Sequence, residues 1–95
     1  VVILDEPTAN LSHVATETLL KTMLELKQQG VAQVIISHRL VDIFAVGDRV
    51  MALKRGETVG DRYVKQTSEQ EILELMIAGT AETAKTADEA AGGRR

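Results

Sequence analysis

Residues 1–12 read VVILDEPTANLS and residues 33–40 read QVIISHRL, and these two stretches decide how the chain folds. Each begins as a β-branched apolar run and ends abruptly in polar residues. The first stops at Asp5, Glu6 and Pro7, and proline cannot continue an interior strand because it has no N–H for the ladder. The sequence therefore predicts a buried strand that ends at Asp5 or Glu6. The second run, residues 33–37, predicts another short strand that ends just before His38. Between them lies one amphipathic helix. Ser12 is its N-cap candidate, Val14, Leu19, Leu20, Met23, Leu24 and Leu26 form a broad apolar face, and Gly30 supplies the stop. Glu17, Lys21 and Glu25 line the opposite face at spacings of four. Strand, helix and strand over this length make one βαβ crossover, so the two strands should run parallel. Continuous Val and Ile runs further predict burial on both faces, with a fuller sheet around them.

Beyond His38, residues 39–45 carry Leu40, Ile43 and Phe44 at helical spacing, and Gly47 ends this short helix. Residues 49–53 and 57–62 flank Lys54, Arg55 and Gly56, which reads as a hairpin with Gly at its turn. Ser68 and Glu71 have the spacing of a capping box. The apolar stripe of Ile72, Leu73, Leu75 and Met76 then marks a helix that Gly79 closes. From Thr80 large apolar residues cease, and residues 80–95 are expected to form a disordered tail. No internal repeat and no linker between two folded domains is visible.

In a parallel sheet, ligands gather beyond the carboxyl ends of the strands, which is where Asp5, Glu6 and His38 all fall. Neighbouring residues at a strand end diverge, so one carboxylate can face a phosphate-bound Mg2+ ion while the next faces the attacking water. Phosphoryl transfer to water needs both functions. An imidazole at the second strand end can donate to a terminal phosphate and sense its presence. Taken singly, the acidic pair also reads as a polar turn and His38 as a capping histidine. His13, in the first turn of a helix, reads as a solvated surface residue.

Together the two stretches resemble a known family. VVILDEPTANLS is similar to the Walker B strand and D-loop of ABC ATPases, and IISHRL resembles their switch-histidine segment, one strand, one helix and one strand later. The resemblance covers residues 1–79 and implies the C-terminal part of a P-loop NTPase nucleotide-binding domain of the α/β class. Its core would be a parallel βαβ unit, followed by a β-hairpin and a C-terminal helix. It implies that Asp5 helps hold Mg2+, that Glu6 is the catalytic base for the water attacking the terminal phosphate of ATP, and that His38 touches that phosphate. Ala9, Asn10, Leu11 and Ser12 would form the D-loop that meets a second ATPase subunit. Ser12 departs from the pattern, since many members carry Asp there. The stretch DIFAVGDRVMALKRGETVG, with Asp48, Arg49, Arg55 and Gly56, and the segment TSEQEILELMIAG look most like bacterial monosaccharide importers. The implied partners are a membrane permease and a periplasmic sugar-binding protein, at the cytoplasmic face of the inner membrane.

Composition narrows the rest. Eleven basic and fourteen acidic residues give a net charge of -3 without a basic stripe, which argues against a nucleic-acid partner. The absence of cysteine excludes thiol catalysis and thiolate metal sites. No apolar run approaches the roughly 18 residues of a membrane span. The chain has no initiator Met and no leader peptide, and its first residue already lies in a strand-like run, so the N-terminus reads as cut. Neither a GxxxxGKS/T phosphate loop nor an LSGGQ-like segment is present in these 95 residues. The chain alone is therefore expected to be inactive. Two rival readings stand beside ATP-driven import: an ABC-type ATPase of DNA repair or translation, and a truncated interaction module without catalysis.

Overall fold

A computed structural model describes residues 1–80, 86 and 87. The chain divides into two compact units, Val1–Val46 and Gly47–Arg95. Its architecture is the α/β arrangement anticipated from the sequence, a parallel βαβ unit followed by a hairpin and a helix.

In the first unit, strand β1 (Val2–Asp5) pairs in parallel with β2 (Gln33–Ile36), in the register Val2 to Gln33, Ile3 to Val34, Leu4 to Ile35 and Asp5 to Ile36. Helix α1 (His13–Gln28) connects them. Ser12 caps it as expected: its backbone is extended and its Oγ accepts from the Ala15 N–H at 3.1 Å. The helix ends at Gln29, and Gly30 turns the chain with a φ of +83°, a conformation glycine adopts without a Cβ penalty. On one sheet face Leu4, Gln33 and Ile35 are half-buried, and Gln33 donates to the Met23 carbonyl of α1 at 2.9 Å. On the other, Ile3 is 68% exposed and Val34 and Ile36 are each 50% exposed. Within this unit the two-stranded sheet leaves that face uncovered, as expected for apolar runs that need a fuller sheet around them. Helix α2 (Leu40–Val46) follows β2, with Val46 buried and its carbonyl accepting from Lys27 Nζ at 2.9 Å.

The second unit is built on the antiparallel hairpin of β3 (Arg49–Lys54) and β4 (Glu57–Tyr63). Arg55 and Gly56 turn it with φ values of +53° and +81°, the paired positive φ that matches the twist of a two-residue hairpin. The register slips by one between Ala52 and Leu53, leaving Val59 as the bulged residue, 1% exposed. A 3₁₀ turn (Val64–Gln66) leads to helix α3 (Glu69–Ala78). Ser68 Oγ accepts from the Glu71 N–H at 3.1 Å, as the capping box requires. The Glu71 side chain instead takes the Thr67 hydroxyl, with Arg62 Nε 3.7 Å away. Ile72 of α3 and Val59 are the largest fully buried side chains, and Val50 and Ala52 join this core. Gly79 closes α3 in an ordinary extended conformation, with φ at -70°. A Cβ there would lie 2.3 Å from the Leu75 carbonyl oxygen and 2.9 Å from Val59 Cβ. Glycine is needed at this position for close approach.

A bidentate ion pair spans the hairpin. Arg49 Nε and Nη2 donate to the two Asp61 oxygens at 2.8 and 2.6 Å, two positions along from Arg49's direct cross-strand partner Tyr63. The Arg49 hydrogen bonds hold the Asp61 carboxyl below the usual carboxylate range; burial opposes them and the guanidinium charge reinforces them. Of the polar stretch expected as a tail, all but Thr80, Thr86 and Ala87 lies outside the described residues.

Candidate functional site

The two strand ends that carry the sequence motifs meet at Glu6 and His38. Glu6 is the first residue beyond β1, and its N–H donates to the Ile36 carbonyl at 2.6 Å, extending the β1–β2 ladder by one bond. There the chain turns sharply: Glu6 has a φ of +50°, in the left-handed region that side-chain-bearing residues rarely occupy. The following proline further restricts this residue. Asp5 remains in the strand and is exposed, while Glu6 leaves it through this left-handed turn. The turn is secured by Ala9 N–H donating to the Glu6 carbonyl at 3.2 Å and Leu11 N–H donating to the Thr8 carbonyl at 3.2 Å.

His38 is the second residue beyond β2. Ser37 Oγ accepts from the Arg39 N–H at 3.0 Å, a side-chain turn that brackets His38. Its Nδ1 lies 2.9 Å from Glu6 Oε2. A carboxylate in its ionised form only accepts, and opposite that form Nδ1 is the donor of this contact. The His38 side chain is 76% exposed and that of Glu6 36%. Glu6 Oε1 is shielded and has no hydrogen-bond partner among the described residues.

A second connection joins the same two segments, through residues that the sequence reading did not single out. Thr8 Oγ1 donates to Asp42 Oδ2 at 2.7 Å, and Arg39 Nε donates to the same oxygen at 2.9 Å. Thr8 and Asp42 are 4% and 2% exposed. Burial pushes the Asp42 carboxyl upward, but the hydrogen bonds from Thr8 and Arg39 and the charge of Arg39 outweigh it, and the net shift is downward. The i, i+3 spacing of Arg39 and Asp42 was readable from sequence. The link to Thr8, 34 positions away, was not.

The remaining predicted residues are distributed as follows. Ala9, Asn10, Leu11 and Ser12 form an exposed turn before α1, and Ser12 is its cap. His13 pairs with Glu17 at 3.4 Å on the solvent side of α1. Among the described residues, no group of three or more His, Asp or Glu is placed to hold a metal by itself. The exposed carboxylate of Asp5 has the hard-oxygen chemistry that Mg2+ takes when it is held by one or two carboxylates together with substrate phosphates. A shallow depression of 280 Å³ in the second unit, lined by Gly47, Asp48, Tyr63, Lys65 and Gln66, contains none of these residues. No helix among the described residues is long and apolar enough to cross a membrane.

A DEPT turn and an ISH turn thus stand at adjacent ends of parallel strands and meet through Glu6 and His38. The chain is similar to one segment of curated ribose import ATP-binding proteins. It is 44% identical over 77 residues to the ribose import ATP-binding protein of Hahella chejuensis, covering 81% of this chain and 15% of that protein. The ribose import ATP-binding protein of Geobacillus kaustophilus is 44% identical over 75 residues, covering 79% of this chain and 15% of that protein. A third, from Burkholderia ambifaria, is 42% identical over 83 residues, covering 87% and 16%. The chain thus spans only about 15% of the length of the curated relatives it matches. No family model and no solved structure matches it.

Proposed function

We propose that this segment supplies the water-activating edge of an ATP site, within an ATP-binding subunit that powers import of a small sugar. Glu6 is the general base for the water that attacks the terminal phosphate, and His38 is the residue that contacts that phosphate. Asp5 helps hold Mg2+, which, when bound, neutralises charge developing on the phosphates. The observation that carries this reading is the 2.9 Å contact between His38 Nδ1 and Glu6 Oε2, which joins the two motifs at one place on the sheet edge.

The geometry also constrains how these groups act. A neutral imidazole has one N–H, and here Nδ1–H is spent on Glu6, leaving Nε2 as an acceptor. His38 can therefore donate to a phosphate oxygen while still holding Glu6 only as the doubly protonated ring. Otherwise it must release Glu6, and release frees Oε2 to take a proton from water. Either route links the presence of the phosphate to the state of the base.

Ala9, Asn10, Leu11 and Ser12, exposed in the turn, meet a second ATPase subunit in this reading. The remaining partners are a membrane permease and a periplasmic sugar-binding protein, and the site of action is the cytoplasmic face of the inner membrane. The relatives named as ribose import proteins support a monosaccharide as cargo. The 95 residues contain no glycine-rich phosphate loop, so by themselves they do not turn over ATP. The test is Glu6→Gln in an ATP-binding subunit that carries this segment. ATP binding should persist while turnover falls by about 10²- to 10⁴-fold, the usual worth of a positioned general base. Turnover at the wild-type rate overturns the assignment.

A further inference from the structure

Glu6 occupies a backbone conformation that it would not choose alone, and the loop carrying it is exposed at Ala9 and Asn10. Something must hold that loop at a fixed distance from His38. The Glu6–His38 hydrogen bond is too exposed to do so firmly, and chemistry that draws on either residue interrupts it. The backbone bond from Glu6 to Ile36 fixes only the start of the turn. The remaining tie is the buried Asp42 carboxylate. One of its oxygens accepts both from Thr8, two residues beyond Glu6, and from Arg39, the residue after His38.

We infer that Asp42 and Thr8 are positioning residues, a buried clamp that sets the separation of Glu6 and His38 and so the rate of the chemical step. This inference rests on the reading of Glu6 as the general base. A hydroxyl donating to a largely desolvated carboxylate is a strong, directional bond, and its loss leaves a buried acceptor underused. The Thr8 and Arg39 bonds to Asp42 do not involve the Glu6 and His38 side chains, which bond to each other. Its effect on turnover is geometric, and a misplacement of about 1 Å can cost roughly 10²-fold in rate.

The experiment measures kcat and KM for ATP in an ATP-binding subunit that carries this segment. The variants are Thr8→Val, Thr8→Ser, Asp42→Asn and the Thr8→Val/Asp42→Asn pair, with Glu6→Gln as reference. Thr8→Val and Asp42→Asn should each lower kcat by about 10- to 100-fold and leave KM within about twofold. Thr8→Ser keeps the hydroxyl and should stay within about threefold of wild type. The double variant should be no worse than the poorer single, because both remove one connection. The proposal is overturned if Thr8→Ser is as impaired as Thr8→Val, if the two losses multiply, or if KM rises in step with the fall in kcat. Should Asp42→Asn fail to fold, the Thr8→Val and Thr8→Ser pair decides alone. If Glu6→Gln is inactive while Thr8→Val turns over normally, only the clamp is refuted. Wild-type turnover by Glu6→Gln refutes the base assignment and the clamp with it.

Discussion

Replacing Glu6 by glycine and, separately, by alanine isolates the backbone strain at the strand end. Both substitutions remove the carboxylate and its bond to His38, so those losses cancel in the comparison. At an ordinary position glycine is the less stable of the two by about 0.4–1 kcal/mol, because it frees the unfolded chain. At Glu6 the φ of +50° reverses the balance. An L-residue in the left-handed region costs about 1–2 kcal/mol, and glycine escapes that cost. Subtracting the entropic disadvantage leaves Glu6→Gly more stable than Glu6→Ala by about 1 kcal/mol. Urea denaturation followed by circular dichroism reads this directly. With a slope of about 2 kcal/mol/M, the midpoint of the glycine variant should lie roughly half a molar higher. Equal midpoints, or a higher one for alanine, would show that the left-handed turn does not strain the chain. Both variants should lack turnover, so the position illustrates strain retained at a site for the sake of its side chain.

Further expectations concern the rest of the molecule. Gly79→Ala drives a Cβ to 2.3 Å from the Leu75 carbonyl oxygen and 2.9 Å from Val59, and backbone cannot yield as a side chain can. It should destabilise the hairpin–helix unit by about 1–3 kcal/mol in the same denaturation assay. The Cβ of Gly60→Ala meets chiefly the mobile end of Leu75 and should cost less. The depressed carboxyls of Asp61 and Asp42 make stability pH-dependent in a defined sense. A folded-state value below the unfolded one contributes stability above about pH 4, and that contribution is lost as pH falls through the folded-state value. Asp61→Asn should therefore flatten the acid limb of a stability-versus-pH curve measured by thermal unfolding, and an unchanged limb would contradict the assignment.

Much of the site was legible before any coordinates because its signals are local. LDEPT ends a strand wherever it occurs in such a run, since Pro7 cannot pair and Asp5 and Glu6 resist burial. A strand ending just ahead of His38, a helix of suitable length and a Ser12 cap together point to a parallel pair whose carboxyl ends share an edge. The hairpin at Arg55 and Gly56 and the Ser68 cap were equally local. Which face of the sheet stays open was not, because the exposure of Ile3, Val34 and Ile36 depends on which side α1 packs against.

By itself, then, the sequence determined which residues end the two strands, and hence that Glu6 and His38 share one edge of a parallel sheet. Periodicity, proline and caps act within a few residues of where they stand. Only the tertiary structure decided that Glu6 sits in a left-handed turn with Oε2 held by His38, and that Arg49 pairs with Asp61. It alone also decided that a buried Asp42 reaches 34 residues back to Thr8. Those contacts depend on distances set by the packing of whole elements. A polar side chain in the sequence announces that it needs a partner, but not which one folding will bring to it.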